Sequence, residues 1–306
     1  MSESKNIAAD ANRITREYID SIWIEQRLID SVAPSLETEL FGEKFDTPIM
    51  MPAFSHLKTF YPDRQNGMIE YAVAARNLNA VNFVGMCENE ELGEILATGA
   101  RTVRIVKPYA DRDKIYSQLR YAEEKGAIAV GMDIDHIFGN NGQYDVVMGE
   151  QMAPQTQEDL KAYIRLTSLP FVVKGVLSVQ DAVKCEACGA QAILISHHSG
   201  RLPYAVPPLM ILQDIVRALG KKRTMKLFVD CGISSGADVY KALALGADAA
   251  AVGRAVLPAL LKDGSEGVET YVRAMNQELA YIMGFTGCPS VREMDPTALR
   301  IPGRNF

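Results

Sequence analysis

From residue 48 onward the chain alternates short, almost wholly apolar runs with longer stretches of helical period, and it does so eight times. The runs are PIMMPAFS (48–55), AVNFVGM (80–86), RTVRIVKP (101–108), AIAVGMDID (127–135), PFVVKGV (170–176), AQAILISH (190–197), MKLFVDCGI (225–233) and ADAAAVGRAVL (247–257). Runs this apolar are what parallel strands covered on both faces require. The segments between them carry apolar residues on one helical face: Ile115, Leu119 and Ala122; Leu209, Leu212, Val216 and Leu219; Val268, Val272, Met275, Leu279 and Ile282. Thr156 with Asp159, Ser178 with Asp181 and Ser235 with Asp238 have capping-box spacing at helix starts. Gly99, Gly126, Gly189 and Gly246 stand where helices must stop before the next strand. Eight such units predict an α/β fold, a (β/α)8 or TIM barrel. An open doubly wound sheet is the alternative, but no GxGxxG follows the first run.

The 306 residues lack a Pro/Gly/Ser linker, which predicts a single domain: an extension over 1–47, the barrel over 48–287 and a tail over 288–306. Ile14 to Ile29 reads as a short N-terminal helical segment. Its Trp23, Ile24, Leu28 and Ile29 are expected to cap the barrel bottom or pack a helix there. The longest irregular stretch, His136 to Gln155, follows the fourth strand and has the length of a lid. A net charge of −6 without a basic block argues against nucleic acid as a partner. The polar start MSESKNIAADANR lacks the apolar core of a signal peptide, and no apolar run approaches the roughly 20 residues of a membrane span. Five cysteines, an odd count in a long chain, fit a reducing compartment, so the expectation is a soluble, cytoplasmic protein.

Barrel chemistry belongs at the C-terminal ends of the strands. All four histidines fall there: His56, His136, His197 and His198. So do Arg104, Lys107, Asp133, Asp135, Lys174, Arg201, Asp230 and Arg254. The last two strands end in Gly232-Ile233-Ser234-Ser235-Gly236 and Gly253-Arg254, where barrels build phosphate sites from backbone N–H groups and a helix N-terminus. Lys174, in the apolar run VVKGV, has the setting of a cation for an anionic cofactor, or of a Schiff-base lysine.

Three segments, PFVVKGVLSVQDA, ILISHHSGR and FVDCGISSGADVYKALALGADAAAVGRAVL, resemble in order and separation the motifs of the FMN-dependent 2-hydroxy acid oxidases and dehydrogenases, the glycolate and lactate oxidases. The similarity spans roughly Pro48 to Glu293. It implies FMN as cofactor, and oxidation of a lactate- or glycolate-like 2-hydroxy acid to the 2-oxo acid. It implies His198 as the base, Asp133 as its orienting carboxylate, and Lys174 beside the flavin N1–C2 carbonyl, where charge develops. Arg201 would hold the substrate carboxylate. Ser196 would bond the flavin ring, Asp230 the ribityl hydroxyls, and Gly232, Gly253 and Arg254 the phosphate. Pro52 and Ala53 would lay backbone against the ring. The proton taken is either that of the hydroxyl, with hydride leaving the carbon, or that of the α-carbon. The family also implies a homo-oligomer, a tetramer or larger.

The chain departs from the family pattern in several places. The family's strand-three glutamine and tyrosine align with Arg104 and Val106, so a cofactor contact becomes cationic. A phosphate arginine aligns with Ser235. No second substrate arginine follows Asp133, and Val84-Gly85-Met86 stands for a serine and an aromatic. A larger or less acidic alcohol, a proton-transfer isomerisation or elimination, and a silent flavin-binding paralogue therefore stay open. No metal is expected: Cys185-x-x-Cys188 lacks a partner pair, and the adjacent histidines 197 and 198 must face opposite ways.

Overall fold

A computed structural model describes residues 9–57, 66–220 and 222–303. Eight parallel strands close into a barrel: β1 (Ile49–Phe54), β2 (Asn82–Val84), β3 (Thr102–Val106), β4 (Ala129–Asp133), β5 (Phe171–Val176), β6 (Ala192–Ile195), β7 (Lys226–Val229) and β8 (Ala249–Ala251). Each pairs with its sequence neighbour, and β8 returns to β1. All eight lie within the runs read from the sequence. Outside them pack α2 (Gly67–Asn77), α3 (Asn89–Ala97), α4 (Arg112–Glu124), α5 (Gln157–Leu166), α6 (Val179–Cys188), α7 (Pro208–Leu219), α8 (Gly236–Ala244) and α9 (Leu257–Phe285). Thr156 and Asp159 close a full capping box. Ser178 and Ser235 cap with their hydroxyls. The four stop glycines all have positive φ, from 81° at Gly99 to 105° at Gly246.

Alternation along the strands divides two cores. Met50, Phe83, Val103, Ile105, Ala129, Val172, Leu194, Phe228 and Ala251 fill the interior, and the intervening residues pack under the helices. At the N-terminal end, a hairpin of Thr38–Leu40 with Glu43–Phe45 plugs the barrel. Its Leu40 and Phe45 join the interior core, and Phe41 meets Phe228 edge-on with ring centroids 5.8 Å apart.

That plug corrects the expectation for Trp23, Ile24, Leu28 and Ile29. The N-terminal helix, α1 (Ala11–Asp20), ends early, and Trp23–Ile24 pair antiparallel with Leu299–Arg300 of the tail. The Glu25 and Arg27 amides then donate to the Ala298 and Phe285 carbonyls. Backbone partners almost the whole chain away thus outbid helix continuation, leaving Trp23 64% and Ile29 92% exposed. α1 itself lies against the ends of β6 and β7: Thr15 Oγ1 meets His197 Nε2 at 2.9 Å, and Lys241 Nζ donates to the Ile19 carbonyl. The stretch after β4 is also more ordered than its sequence implied. Val146–Val147 pair with Glu150–Gln151, Phe138 bridges to Tyr144, and Tyr109 bridges to Met152.

Candidate active site

Extending the inward alternation one step beyond the core brings Pro52, Lys107, Asp133, Lys174, Ser196, Asp230 and Gly253 to the barrel mouth. A cavity of about 600 Å³ opens there. Pro52, Ala53, Lys107, Lys174, His198, Asp230, Gly232, Gly253 and Arg254 are among its walls.

Asp133 is the electrostatic centre. It is 3% exposed, and its two oxygens receive Lys107 Nζ at 2.6 Å and Lys174 Nζ at 3.0 Å. Burial works against its charge, but Lys174, Lys107 and His198 outweigh that and hold the carboxyl well below the usual range. Burial likewise opposes the charge on Lys174, and the carboxylates of Asp133, Asp135 and Asp230 overcome it and raise its pKa. Burial opposes protonation of His198 too. Asp133 and Asp135 nevertheless hold the imidazole above the ordinary histidine value, against the repulsion of Lys174.

His136 behaves in the opposite way. Burial, Lys107 and Arg201 push it down to about 4, so it is neutral at pH 7. A lysine ammonium only donates, so His136 Nδ1 accepts from Lys107 Nζ at 2.9 Å. Nε2–H therefore donates to Asp145 Oδ2 at 3.0 Å. The same Asp145 oxygen receives Arg201 Nη2 at 3.2 Å, and that guanidinium also donates to the Phe138 carbonyl at 2.9 Å. Arg201 is thereby turned to the hairpin after β4 rather than into the cavity. Donor atoms of Asp133, His136 and His198 lie within 4.8 Å of one another, a spacing a metal would accept. Here Lys107 and Lys174 supply the positive charge that neutralises the carboxylate.

His197 and His198 do face opposite ways. His197 is 3% exposed and accepts the Gly200 amide at Nδ1, away from the cavity. His198 has φ 48°, and Ser199 and Gly200 follow at 61° and 84°. Such a left-handed run costs backbone energy at the two non-glycine residues and is the kind of strain that clusters at functional sites. The Ser196 hydroxyl accepts the His198 amide at 3.0 Å and so braces the loop.

Several sequence-derived residues fall elsewhere. Arg104 is corrected: it is on the outward side of β3, 1% exposed, donating to Asn89 Oδ1, the Gln118 carbonyl and the Cys87 carbonyl. The inward positions of that strand are Val103, Ile105 and Lys107, so Lys107 takes the place at the mouth. Counting by two from Val103 would have found it. Ser235 caps α8 by accepting the Asp238 amide at 3.1 Å, while Ser234 lines the cavity. Arg16 and Asn12 of α1, which no sequence motif marks, also wall the cavity. Arg16 grips Asp238 through both terminal nitrogens, at 3.0 and 2.9 Å. No local motif marks this contact, because it joins helices more than 200 residues apart.

A closed barrel with an imidazole, carboxylates and buried lysines at its mouth, and glycine turns ending its last two strands, has the form of an enzyme barrel with room for a phosphate-bearing ligand. The sequence pattern of the FMN-dependent dehydrogenases matches residues 4–158 and 140–301, and the chain belongs to that family. It is 30% identical to the 4-hydroxymandelate oxidase of Amycolatopsis orientalis, over 92% of this chain and 86% of that protein. It is 28% identical to human 2-hydroxyacid oxidase 1, over 90% and 84%. A solved mandelate oxidase with benzoyl-formic acid superposes with a TM-score of 0.85 at 29% identity, covering 96% of this chain and 90% of that one. A variant solved with an FMN adduct superposes at 0.83, with 29% identity and 95% and 91% coverage. The protein is thus an FMN-dependent oxidoreductase acting on the CH–OH group of a 2-hydroxy acid. Its residues fit FMN. Buried Lys174 is among the cavity walls. Arg254, for which no ion pair is found among the described residues, follows Gly253 in the chain and lines the cavity with it and Gly232. Among the described residues, no helix is long and apolar enough to cross a membrane.

Proposed function

We propose that His198 takes the substrate proton while FMN accepts the electrons, turning a 2-hydroxy acid into the 2-oxo acid. The observation that carries this reading is the imidazole itself. It stands at the cavity wall with Nδ1 against carboxylates, which leaves Nε2 available as a base. FMN, when bound, supplies the two-electron acceptor for the α-carbon. Lys174 would neutralise negative charge on the ring, and Pro52 and Ala53 would lay their backbone along it. Asp230 would hold ribityl hydroxyls. Gly232, Gly253 and Arg254 would receive the phosphate, with Ser235 acting as the cap of the helix that points at it. Ser196 keeps a role through the His198 amide and, by the family resemblance, the ring. Asp133 holds both lysines at the reacting centre.

Two cations serve the substrate carboxylate in this reading. Lys107 already reaches the cavity, and Arg201 joins once Asp145 releases it. Asp145 occupies Arg201 with a carboxylate, the same group the substrate would present. Arg201→Met is expected to weaken substrate binding by roughly 10–150-fold, the value of one charged hydrogen bond of about 1.5–3 kcal/mol. Titration of oxalate or a 2-oxo acid into the flavoprotein measures this, and unchanged affinity would remove Arg201 from the site. Phe54, Met86 and Val147 on the cavity wall favour an acid with an apolar side chain, as in the mandelate-oxidising relatives.

The test is the visible spectrum of the anaerobic flavoprotein before and after addition of glycolate, lactate and mandelate. Bleaching by one of them supports oxidation and names the substrate class. A flavin spectrum that none of them bleaches favours the second reading, a changed reaction on another alcohol or a proton transfer; the Arg201–Asp145 pairing is the feature that keeps it in view. The broader reading is of one domain, with extension and tail joined through Trp23–Ile24 and Leu299–Arg300. A homo-oligomer is supported by the exposed Trp23, Ile29 and Tyr281, and a cytoplasmic setting by five unpaired cysteines.

A further inference from the structure

The base of this site has two carboxylates within reach, and they are not equivalent. His198 Nδ1 lies 2.9 Å from Asp135 Oδ1 and 3.4 Å from Asp133 Oδ1. We propose that Asp135, rather than Asp133, is the positioning residue that holds the Nδ1 proton of His198 and leaves Nε2 basic toward the substrate. The proposal rests on the reading of His198 as the base.

Hydrogen-bond accounting favours Asp135. Asp133 Oδ2 is taken by Lys107 and Asp133 Oδ1 by Lys174, both ammonium donors. Lys174 Nζ also stands 3.3 Å from His198 Nδ1, but an ammonium only donates, so a protonated Nδ1 must look to a carboxylate. Asp135 carries no cation of its own. Among the described residues its one hydrogen bond goes to His198, and its second oxygen is buried without a partner. A carboxylate so poorly satisfied is a stronger acceptor than one already neutralised by two lysines. Burial and the neighbouring Asp133 raise the Asp135 carboxyl, while the lysines hold Asp133 low, so proton affinity at this spot belongs to Asp135.

The backbone of β5 makes room for this arrangement. Gly175 has φ 89°, and a Cβ there would stand 2.5–2.8 Å from the Asp135 carboxyl group. Register along β5–β6 shifts between Lys174 and Val176, at this glycine. The pattern Asp-x-Asp ending β4 opposite Lys-Gly in β5 therefore builds two separate carboxylate sites: one for the lysines, one for the base. The groups facing His198 are Asp133 at the end of β4, Asp135 just beyond it, Lys174 from β5 and His136 edge-on at 5.7 Å. Lys107 from β3 acts on it through Asp133, and Asp230 beyond β7 acts through Lys174.

The test uses the FMN-loaded protein with ring-labelled histidine. Nitrogen NMR follows the His198 resonance, assigned by its loss in His198→Gln. Asp135→Asn is expected to lower the His198 titration midpoint by about 1–3 pH units, the usual effect of losing an adjacent charge. It should also remove the Nδ1-protonated tautomer signal and shift the acid limb of the kcat/KM profile downward in parallel, with bound FMN unchanged. Asp133→Asn also removes a through-space charge that raises the imidazole, so it too should lower the midpoint, but it should leave the Nδ1-protonated tautomer signal in place. A midpoint that Asp135→Asn leaves in place, or an Nδ1-protonated tautomer that survives Asp135→Asn and is lost in Asp133→Asn, overturns the proposal. Full turnover by His198→Gln would instead sink the base assignment, a failure separate from that of Asp135.

Discussion

His198→Ala is expected to slow reduction of the bound flavin by its 2-hydroxy acid about 10²–10⁴-fold, with the flavin still in place. The substitution removes the cavity-wall imidazole whose Nδ1 stands against Asp135 and Asp133, while His197 faces α1 and His136, though also on the wall, is spent between Lys107 and Asp145. It keeps a non-glycine residue at the φ 48° position, so loop strain is similar before and after. Cofactor contacts lie with other residues, so the visible spectrum should survive. Anaerobic stopped-flow reduction under saturating acid is the measurement. A rate within a few fold of the parent would mean that proton removal does not pass through His198.

Asp133→Ala is expected to destabilise the fold by about 3–5 kcal/mol, the range for removing one partner of a buried ion pair. Lys107 and Lys174 side chains are only 9% and 5% exposed, and both would lose their direct ion-pair partner, Lys174 keeping only the more distant Asp135 and Asp230. In a chain this long the loss corresponds to a fall in Tm on the order of 5–10 °C. Its pH dependence follows from the direction of the shift. The folded Asp133 lies well below its ordinary 3.8, so the unfolded chain binds the proton first as the pH falls. The stability it contributes is present above about pH 4–5 and fades below that. The gap between parent and variant should therefore be flat near neutrality and close in acid. His198 runs the other way: raised above 6.5, its contribution is full below that value and lost as the pH climbs through the folded pKa. Thermal melts from pH 3 to 9 separate the two. A gap that persists undiminished at pH 3 would contradict the assignment to Asp133.

Much of the fold was legible because each barrel unit is a local statement. An apolar run, a capping hydroxyl such as Ser178 and a stop glycine such as Gly189 each act within a few residues, and the closed barrel satisfies them all together. The mouth was legible for the same reason, since strand ends carry the chemistry whatever the loops do. What failed was register and distance. Arg104 and Lys107 both belong to the third run, and only the inward alternation from Val103 and Ile105 decides which of them reaches the cavity. Choosing between Asp133 and Asp135 needed the two lysines, which arrive from β3 and β5.

The sequence by itself determined the eight-fold alternation, the strand ends and the presence of His198, Asp133 and Lys174 among them, since these depend on short-range periodicity and residue type. Only the tertiary structure decided that the 38–45 hairpin plugs the barrel, that Trp23–Ile24 pair with the tail, and that Asp145 holds Arg201. Each of these joins groups whose separation along the chain leaves no local trace. Their partners are selected by which hydrogen bonds and charges remain unsatisfied once the barrel has closed.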